Sequence, residues 1–163
     1  MTRDKNNIGE LIRKTLKEDG RSATWLAEKI HCKRRNVYDI YKRTSIDTAQ
    51  LLRISLALKT NFFMYFSEIY DTMIYKTEYT TSRICYILPQ NEAYIGRLVR
   101  NKLEEQGRSV QWLADKIHCK RSNVYNIFNN RSSIDTARLL KICIALKTNF
   151  FEYFCDSYKN MVA

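Results

Sequence analysis

The feature that most limits how this chain can fold is an internal repeat. The segment HCKRRNVYDIY at residues 31–41 returns as HCKRSNVYNIF at residues 118–128. Residues 8–70 align with residues 95–158 once a single residue is inserted near Asn130, and 41 of the 63 positions of the first copy are identical. Because the unit is longer than the roughly 20–50 residues of a solenoid repeat, each copy is predicted to be a small compact domain.

Each copy is predicted to contain five helices, since apolar residues recur at three- and four-residue spacing. The third helix starts near Arg34, after a break at residues 31–33, and the fourth spans residues 48–58. Met73 is in phase with the fifth helix, FFMYFSEIY, and can extend it beyond Tyr70. In the first copy, a polar residue suited to capping precedes four of the helices: Asn7, Ser22, Asp47 and Asn61.

The repeat predicts an all-α fold with two tandem five-helix domains, at residues 1–70 and 91–163. Only 4 Gly and 1 Pro occur in the 163 residues, which favours helices over hairpins. Residues 71–90 are expected to form an extended, strand-prone connector, because YKTEYTTSRICYILP is rich in Tyr, Thr and Ile. The aromatic residues expected in the cores are Trp25, Phe62, Trp112 and Phe150.

The net charge of +11 is divided between the two copies. Residues 1–70 hold 14 Lys and Arg against 8 Asp and Glu, residues 71–90 hold 2 of each, and residues 91–163 hold 12 against 7. The net charges are therefore +6, 0 and +5. Two basic domains on a neutral connector suit a polyanionic partner, most simply a nucleic acid.

Several other classes of protein are disfavoured. No apolar run approaches the ~20 residues of a membrane span, and the N-terminus, MTRDKNNIGE, does not resemble a signal peptide. The 5 cysteines form no C-x-x-C pair, so we expect reduced thiols, a cytoplasmic protein and neither metal nor cofactor. Without a Gly-rich phosphate loop, an H-E-x-x-H motif or a nucleophile elbow, an enzyme is not expected.

Residues 23–42 have the proportions of a helix-turn-helix, and the same pattern recurs in the second copy. Small Ala27 stands where the two helices would cross. Apolar residues at the positions that would join them are Leu26, Ile30, Cys32, Val37 and Ile40, and in the second copy Leu113, Ala114, Ile117, Cys119, Val124 and Ile127. This spacing and the five-helix order resemble the Cro/repressor type of helix-turn-helix domain, also called lambda-repressor-like or xenobiotic-response-element domains, over about three quarters of the chain.

Two positions depart from that family's pattern. His31 and His118 stand at the tight turn where the family often has glycine, and histidine tolerates a positive φ better than most residues. Ala23 and Val110 stand where the family often has glutamine at the start of the second helix. The side-chain contact that such a glutamine makes to DNA is therefore not expected here, although backbone contacts from the same helix end remain available.

The resemblance implies that the third helix of each copy enters the major groove. Its inward face, Val37, Ile40 and Tyr41, is almost unchanged in the second copy, where Tyr41 becomes Phe128. The outward residues are Arg35, Tyr38, Asp39 and Lys42 in the first copy and Ser122, Tyr125, Asn126 and Asn129 in the second. Three of these four outward residues differ between the copies. Recognition of two unequal half-sites would require such differences, although neutral drift on an exposed surface would also produce them.

A second group of residues is suited to phosphate contacts, which position a protein on DNA without reading its sequence. It comprises Lys33, Arg34, Asn36 and Arg43, and Lys120, Arg121, Asn123 and Arg131.

The sequence thus predicts a sequence-specific double-stranded DNA-binding protein, a transcriptional regulator that occupies two neighbouring half-sites. The two copies would pair within one chain, with a homodimer as a second arrangement. The alternative is a non-enzymatic module that binds other proteins through the duplicated fold, and RNA remains a third kind of partner.

Overall fold

A computed structural model describes residues 7–75, 93–129 and 133–163. Within these residues the fold is all-helical, with ten helices and no strand, as predicted. The fifth helix continues to Tyr75, so residues 71–75 are helical rather than part of an extended connector. Residues 76–90, for which the strand-prone conformation was predicted, lie outside the described residues.

The helices of the two copies follow each other in the same order. The first copy contains α1 (Ile8–Glu18), α2 (Ala23–Lys29), α3 (Arg34–Tyr41), α4 (Thr48–Leu58) and α5 (Phe63–Tyr75). The second contains α6 (Ala93–Glu105), α7 (Val110–Lys116), α8 (Arg121–Phe128), α9 (Thr136–Leu146) and α10 (Phe151–Val162). The predicted span of the fourth helix, residues 48–58, agrees with α4.

Three of the four predicted caps form at the predicted helix starts, and the helix that follows the fourth begins one residue later than predicted. The side chains of Asn7, Ser22 and Asp47 accept hydrogen bonds from backbone N–H groups in the first turns of α1, α2 and α4, at 2.8, 3.1 and 3.1 Å. The fifth helix begins at Phe63, one residue later than predicted. Asn61 still accepts a hydrogen bond from the Phe63 amide at 3.2 Å. Its side chain therefore satisfies the first backbone N–H of α5, as a capping residue does.

The turn between α2 and α3 is tight in both copies. His31 has φ 54° and His118 has φ 56°, both in the left-handed region that favours glycine. The amide of Cys32 reaches back to the carbonyl of Ala27 at 2.9 Å, and Cys119 does the same to Ala114. Histidine therefore adopts the conformation that glycine would supply, as the sequence predicted.

Two glycines allow α1 and α6 to lie directly on the ends of α3 and α8. A Cβ atom added to Gly9 would clash with the carbonyl oxygen of Ile40 and lie 2.6 Å from the carbonyl carbon of Tyr41. Gly96 faces the carbonyl of Ile127 in the same way. The amide of Gly9 also donates to the carbonyl of Arg43 at 3.2 Å. The third helix of each copy is thus positioned by backbone contact.

The two copies contact each other through matched backbone hydrogen bonds. The amide of Thr48 donates to the carbonyl of Ile134 at 3.0 Å, and the amide of Thr136 donates to the carbonyl of Ile46 at 2.9 Å. Thr48 and Thr136 are equivalent residues of the two copies, as are Ile46 and Ile134. Each copy therefore gives the other the same contact that it receives, which is the mark of an isologous interface.

The last two helices of each copy complete this interface. α10 contacts α4 and α5, and α5 contacts α9 and α10. The ring of Phe63 stacks on Phe154 with centroids 4.7 Å apart, and Phe66 stacks on Phe151 at 5.2 Å. These pairs are again exchanged between equivalent positions, so the copies share one apolar core.

The aromatic residues expected in the cores divide into two groups. Phe62 and Phe150 are buried, as predicted. Trp25 and Trp112 are only half-buried and pack against the edge of the core, so the prediction was wrong in treating them as interior residues. A guanidinium group covers the ring of each, from Arg21 at 4.0 Å and from Arg108 at 4.9 Å.

Candidate nucleic-acid interface

The inward and outward faces of α3 and α8 are arranged as the sequence predicted. Val37, Ile40, Tyr41, Val124, Ile127 and Phe128 are buried. The outward residues Arg35, Tyr38, Asp39 and Lys42 are all exposed. In the second copy Ser122, Tyr125 and Asn129 are exposed and Asn126 is half-buried. Each helix therefore presents four polar or aromatic side chains on the face opposite the core.

The residues predicted to contact phosphate lie at both ends of these helices. Lys33, Arg34, Asn36 and Arg43 are exposed, as are Lys120 and Arg121. Asn123 is half-buried. Arg131 lies outside the described residues. The structure thus brings the described members together around α3 and α8, while their contacts with a nucleic acid stay a prediction.

The N-termini of α3 and α8 differ from those of their neighbours. Their N-cap residues are Lys33 and Lys120, and neither side chain makes a capping hydrogen bond in the described part of the chain. α1, α2 and α4 are each capped by a polar side chain. Uncapped N–H groups at the positive end of a helix dipole, next to a lysine, favour an anion.

The basic side chains of α3 and α8 are not neutralised by neighbours. The ion pairs recorded among residues 7–75, 93–129 and 133–163 lie on α1, α6 and α10, where they join residues three or four positions apart. None of them includes a basic residue of α3 or α8. The positive charge of both helices therefore remains available to an external anion.

One contact on the outward face was missed by the sequence analysis. A guanidinium nitrogen of Arg34, Nη2, donates to the hydroxyl of Tyr38 at 3.0 Å, and the guanidinium carbon lies 5.5 Å from the centre of the Tyr38 ring. Arg121 and Tyr125 repeat both contacts at 3.1 and 5.5 Å. The spacing of four residues on a helix, present in both copies, was the signal that could have predicted the pair.

The cysteines and histidines do not form a metal site in the described residues. No group of three or more His, Cys, Asp or Glu side chains lies together there. Cys143 and Cys155 are buried thiols and Cys32 and Cys119 are half-buried. Burial raises the pKa of Cys143 to about 12, so its thiol stays neutral at physiological pH. Cys85 lies outside the described residues.

Comparison with models of protein families gives a match in the second copy. Residues 99–153 match the model of a helix-turn-helix family, which is about a third of the chain and lies within the second copy. The match spans α7 and α8 and continues through α9. It supports a helix-turn-helix DNA-binding domain in this part of the protein. No significant match was found among curated proteins or solved structures.

The helices offer no candidate for a membrane-crossing segment. Across the described ranges, none combines the length and the apolar character that such a crossing requires.

Proposed function

We propose that the chain is a sequence-specific double-stranded DNA-binding protein, a transcriptional regulator that inserts α3 and α8 in the major groove at two neighbouring half-sites. The observation that carries this proposal is the pair of exposed basic residues at the start of the third helix in each copy, Lys33 with Arg34 and Lys120 with Arg121. None of these four forms an ion pair in the described part of the chain. The helix-turn-helix family match over residues 99–153 supports it independently.

The reciprocal contacts between the copies support an intrachain pseudo-dimer. Because Thr48–Ile134 and Thr136–Ile46 exchange equivalent residues, an approximate two-fold axis relates the copies. A rotation about a two-fold axis does not change a helix's position along that axis. The equivalent helices α3 and α8 therefore lie level with each other on the axis. We infer that one chain recognises two half-sites in inverted orientation, as a dimer of single-domain chains would.

In-vitro selection from a pool of random duplexes tests this arrangement. We expect the enriched sequences to contain two half-sites in inverted orientation, with centres about one helical turn, or ~34 Å, apart. Binding should occur with one chain per duplex, measured by the mass of the complex. Enrichment of a direct repeat or of a single half-site would contradict the pseudo-dimer, and no enrichment at low salt would contradict sequence-specific binding itself.

The differences between the copies predict unequal half-sites. Arg35 carries a fork of donors that matches guanine O6 and N7, whereas Ser122 has a single hydroxyl. Ionised Asp39 only accepts hydrogen bonds, whereas Asn126 also donates and matches adenine N6 and N7. We therefore expect the first copy to prefer a G·C-containing half-site and the second an A·T-richer one.

Exchanging these residues should exchange the preferences. The variant carries Arg35→Ser and Asp39→Asn with Ser122→Arg and Asn126→Asp. Each good bidentate contact discriminates between bases by about 1–3 kcal/mol, which a competition assay resolves. The matched control exchanges the inward pair, Tyr41→Phe with Phe128→Tyr, and should leave the preferences as they are. If the exchanged protein selects the parent's DNA, the outward differences are drift.

A further inference from the structure

The outward face of α3 combines residues that change between the copies with residues that do not. Arg35, Asp39 and Lys42 become Ser122, Asn126 and Asn129. Tyr38 remains tyrosine at Tyr125, although its side chain is exposed to 44% in one copy and 42% in the other. Tyrosine thus follows the pattern of the residues suited to phosphate, which are shared by both copies, rather than that of the residues suited to bases.

The partner of this tyrosine is also unchanged. Arg34 and Arg121 each donate to the tyrosine hydroxyl four residues later, at 3.0 and 3.1 Å, with the guanidinium over the ring. Such an exposed contact contributes little to folding. It does restrict a long flexible side chain to one conformation, which lowers the entropy lost when that side chain binds.

The tyrosine ring is itself supported by the core. Tyr38 meets the buried ring of Tyr41 edge-on with centroids 5.8 Å apart, and Tyr125 meets Phe128 at 6.2 Å. The arginine therefore rests on a tyrosine that rests on a buried aromatic residue, in both copies. Because the core is closely packed, these contacts restrict the conformations that the guanidinium group can adopt.

The hydrogen-bonding chemistry of the pair suits one phosphate. The tyrosine hydroxyl accepts one N–H of the arginine and so fixes the orientation of the guanidinium plane. The guanidinium keeps further N–H donors in a planar fork. These remaining guanidinium donors lie next to the uncapped N-terminus of the same helix. A phosphodiester group has the charge and the acceptor oxygens to meet them.

We propose that Arg34 with Tyr38, and Arg121 with Tyr125, form a phosphate clamp in each copy. In this clamp the tyrosine is a positioning residue for the arginine and takes no part in reading bases. The inference rests on the proposed DNA binding and changes the role predicted for Tyr38 and Tyr125 from base contact to positioning of the arginine that contacts the DNA backbone. Base reading then falls to the three outward positions at which the copies differ.

The test compares hydroxyl deletion with charge deletion in the full chain. The first variant carries Tyr38→Phe and Tyr125→Phe, which keep both rings. The second carries Arg34→Ala and Arg121→Ala, and a third combines all four changes. The control carries Tyr65→Phe and Tyr153→Phe, a matched hydroxyl deletion at equivalent positions of α5 and α10. Affinity is measured over a salt series on mixed-sequence duplexes of about three helical turns, and base preference by sequencing the bound fraction.

We expect the phenylalanine variant to bind every duplex about tenfold more weakly than the control, the sum of two modest hydrogen-bond losses. Its base preferences and its slope of log K against log salt should equal the parent's, because tyrosine is neutral. The alanine variant should have a slope shallower by about 1.8, since each released phosphate contact contributes about 0.9. The fourfold variant should bind as the alanine variant does, because the hydroxyl acts through the arginine.

Three results would overturn the clamp. The phenylalanine variant could bind with the same affinity as the control, or its base preference could change at particular positions of the site. The fourfold variant could also bind another tenfold more weakly than the alanine variant. Failure of the unaltered protein to bind any duplex at low salt would instead reject the proposed function, and the clamp with it. Melting curves of all variants show whether each is folded at the assay temperature.

Discussion

Replacing Phe63 by alanine is expected to lower the free energy of unfolding by about 3–5 kcal/mol, the usual cost of removing a buried phenylalanine. Phe63 is fully buried and stacks on Phe154 of the other copy at 4.7 Å. The change removes that contact and leaves a cavity at the interface. Met64→Ala, one residue further along α5 at a side chain that is 53% exposed, is the matched control and should stay within about 0.5 kcal/mol of the parent.

The same substitution tests whether the copies unfold as one unit. The chain has 2 tryptophans, Trp25 in the first copy and Trp112 in the second. A Trp112→Phe background reports the first copy by fluorescence, and a Trp25→Phe background reports the second. Because the copies share a core, Phe63→Ala should shift both denaturation curves equally. A shift confined to the first copy would show that the interface does not couple them.

Replacing Gly9 or Gly96 by alanine is expected to cost about 3 kcal/mol, the upper end of ordinary overpacking. The added methyl group would meet the carbonyl of Ile40 or Ile127, and backbone atoms cannot rotate away as a side chain can. The direction of the change in stability is informative, because replacing glycine by alanine in an unobstructed helix stabilises a protein by up to about 1 kcal/mol. α1 must move relative to α3, so DNA binding should also weaken.

Gly20→Ala is the control for this prediction. Gly20 has φ +66°, and no neighbouring heavy atom lies within 4 Å of the place that an added Cβ would occupy. Alanine there suffers only backbone strain, about 1 kcal/mol. It should leave DNA affinity unchanged at temperatures where the variant is folded. Equal losses of stability and affinity in both variants would mean that the close approach of α1 does not position the third helix.

The sequence predicted the helices well because their signals are local. Asn7, Ser22 and Asp47 cap helices with their own side chains, and a cap depends only on the next three residues. The outward and inward faces of α3 follow from helical periodicity alone. Trp25 was placed wrongly because an aromatic residue in phase with the core can also lie at its edge, where a guanidinium from Arg21 covers it.

The close approach at Gly9 and the pairing of Arg34 with Tyr38 were not predicted. Both involve residues that are identical in the two copies, since Gly9, Arg34 and Tyr38 recur as Gly96, Arg121 and Tyr125. A recurring glycine inside a helix indicates either a special backbone angle or a close neighbour, and only the tertiary structure distinguishes the two. The arginine and tyrosine have the right spacing, but rotamers decide whether they meet.

By itself, the sequence determined that the chain forms two matched sets of five helices, with basic, exposed third helices. Periodicity, caps and charge are properties of short segments, so they can be read without the fold. Only the tertiary structure decided that α5 and α10 pack across the copies and that Thr48 and Thr136 exchange hydrogen bonds. An apolar face shows that a helix is buried, but not which of several similar faces covers it, because hydrophobic attraction is non-directional.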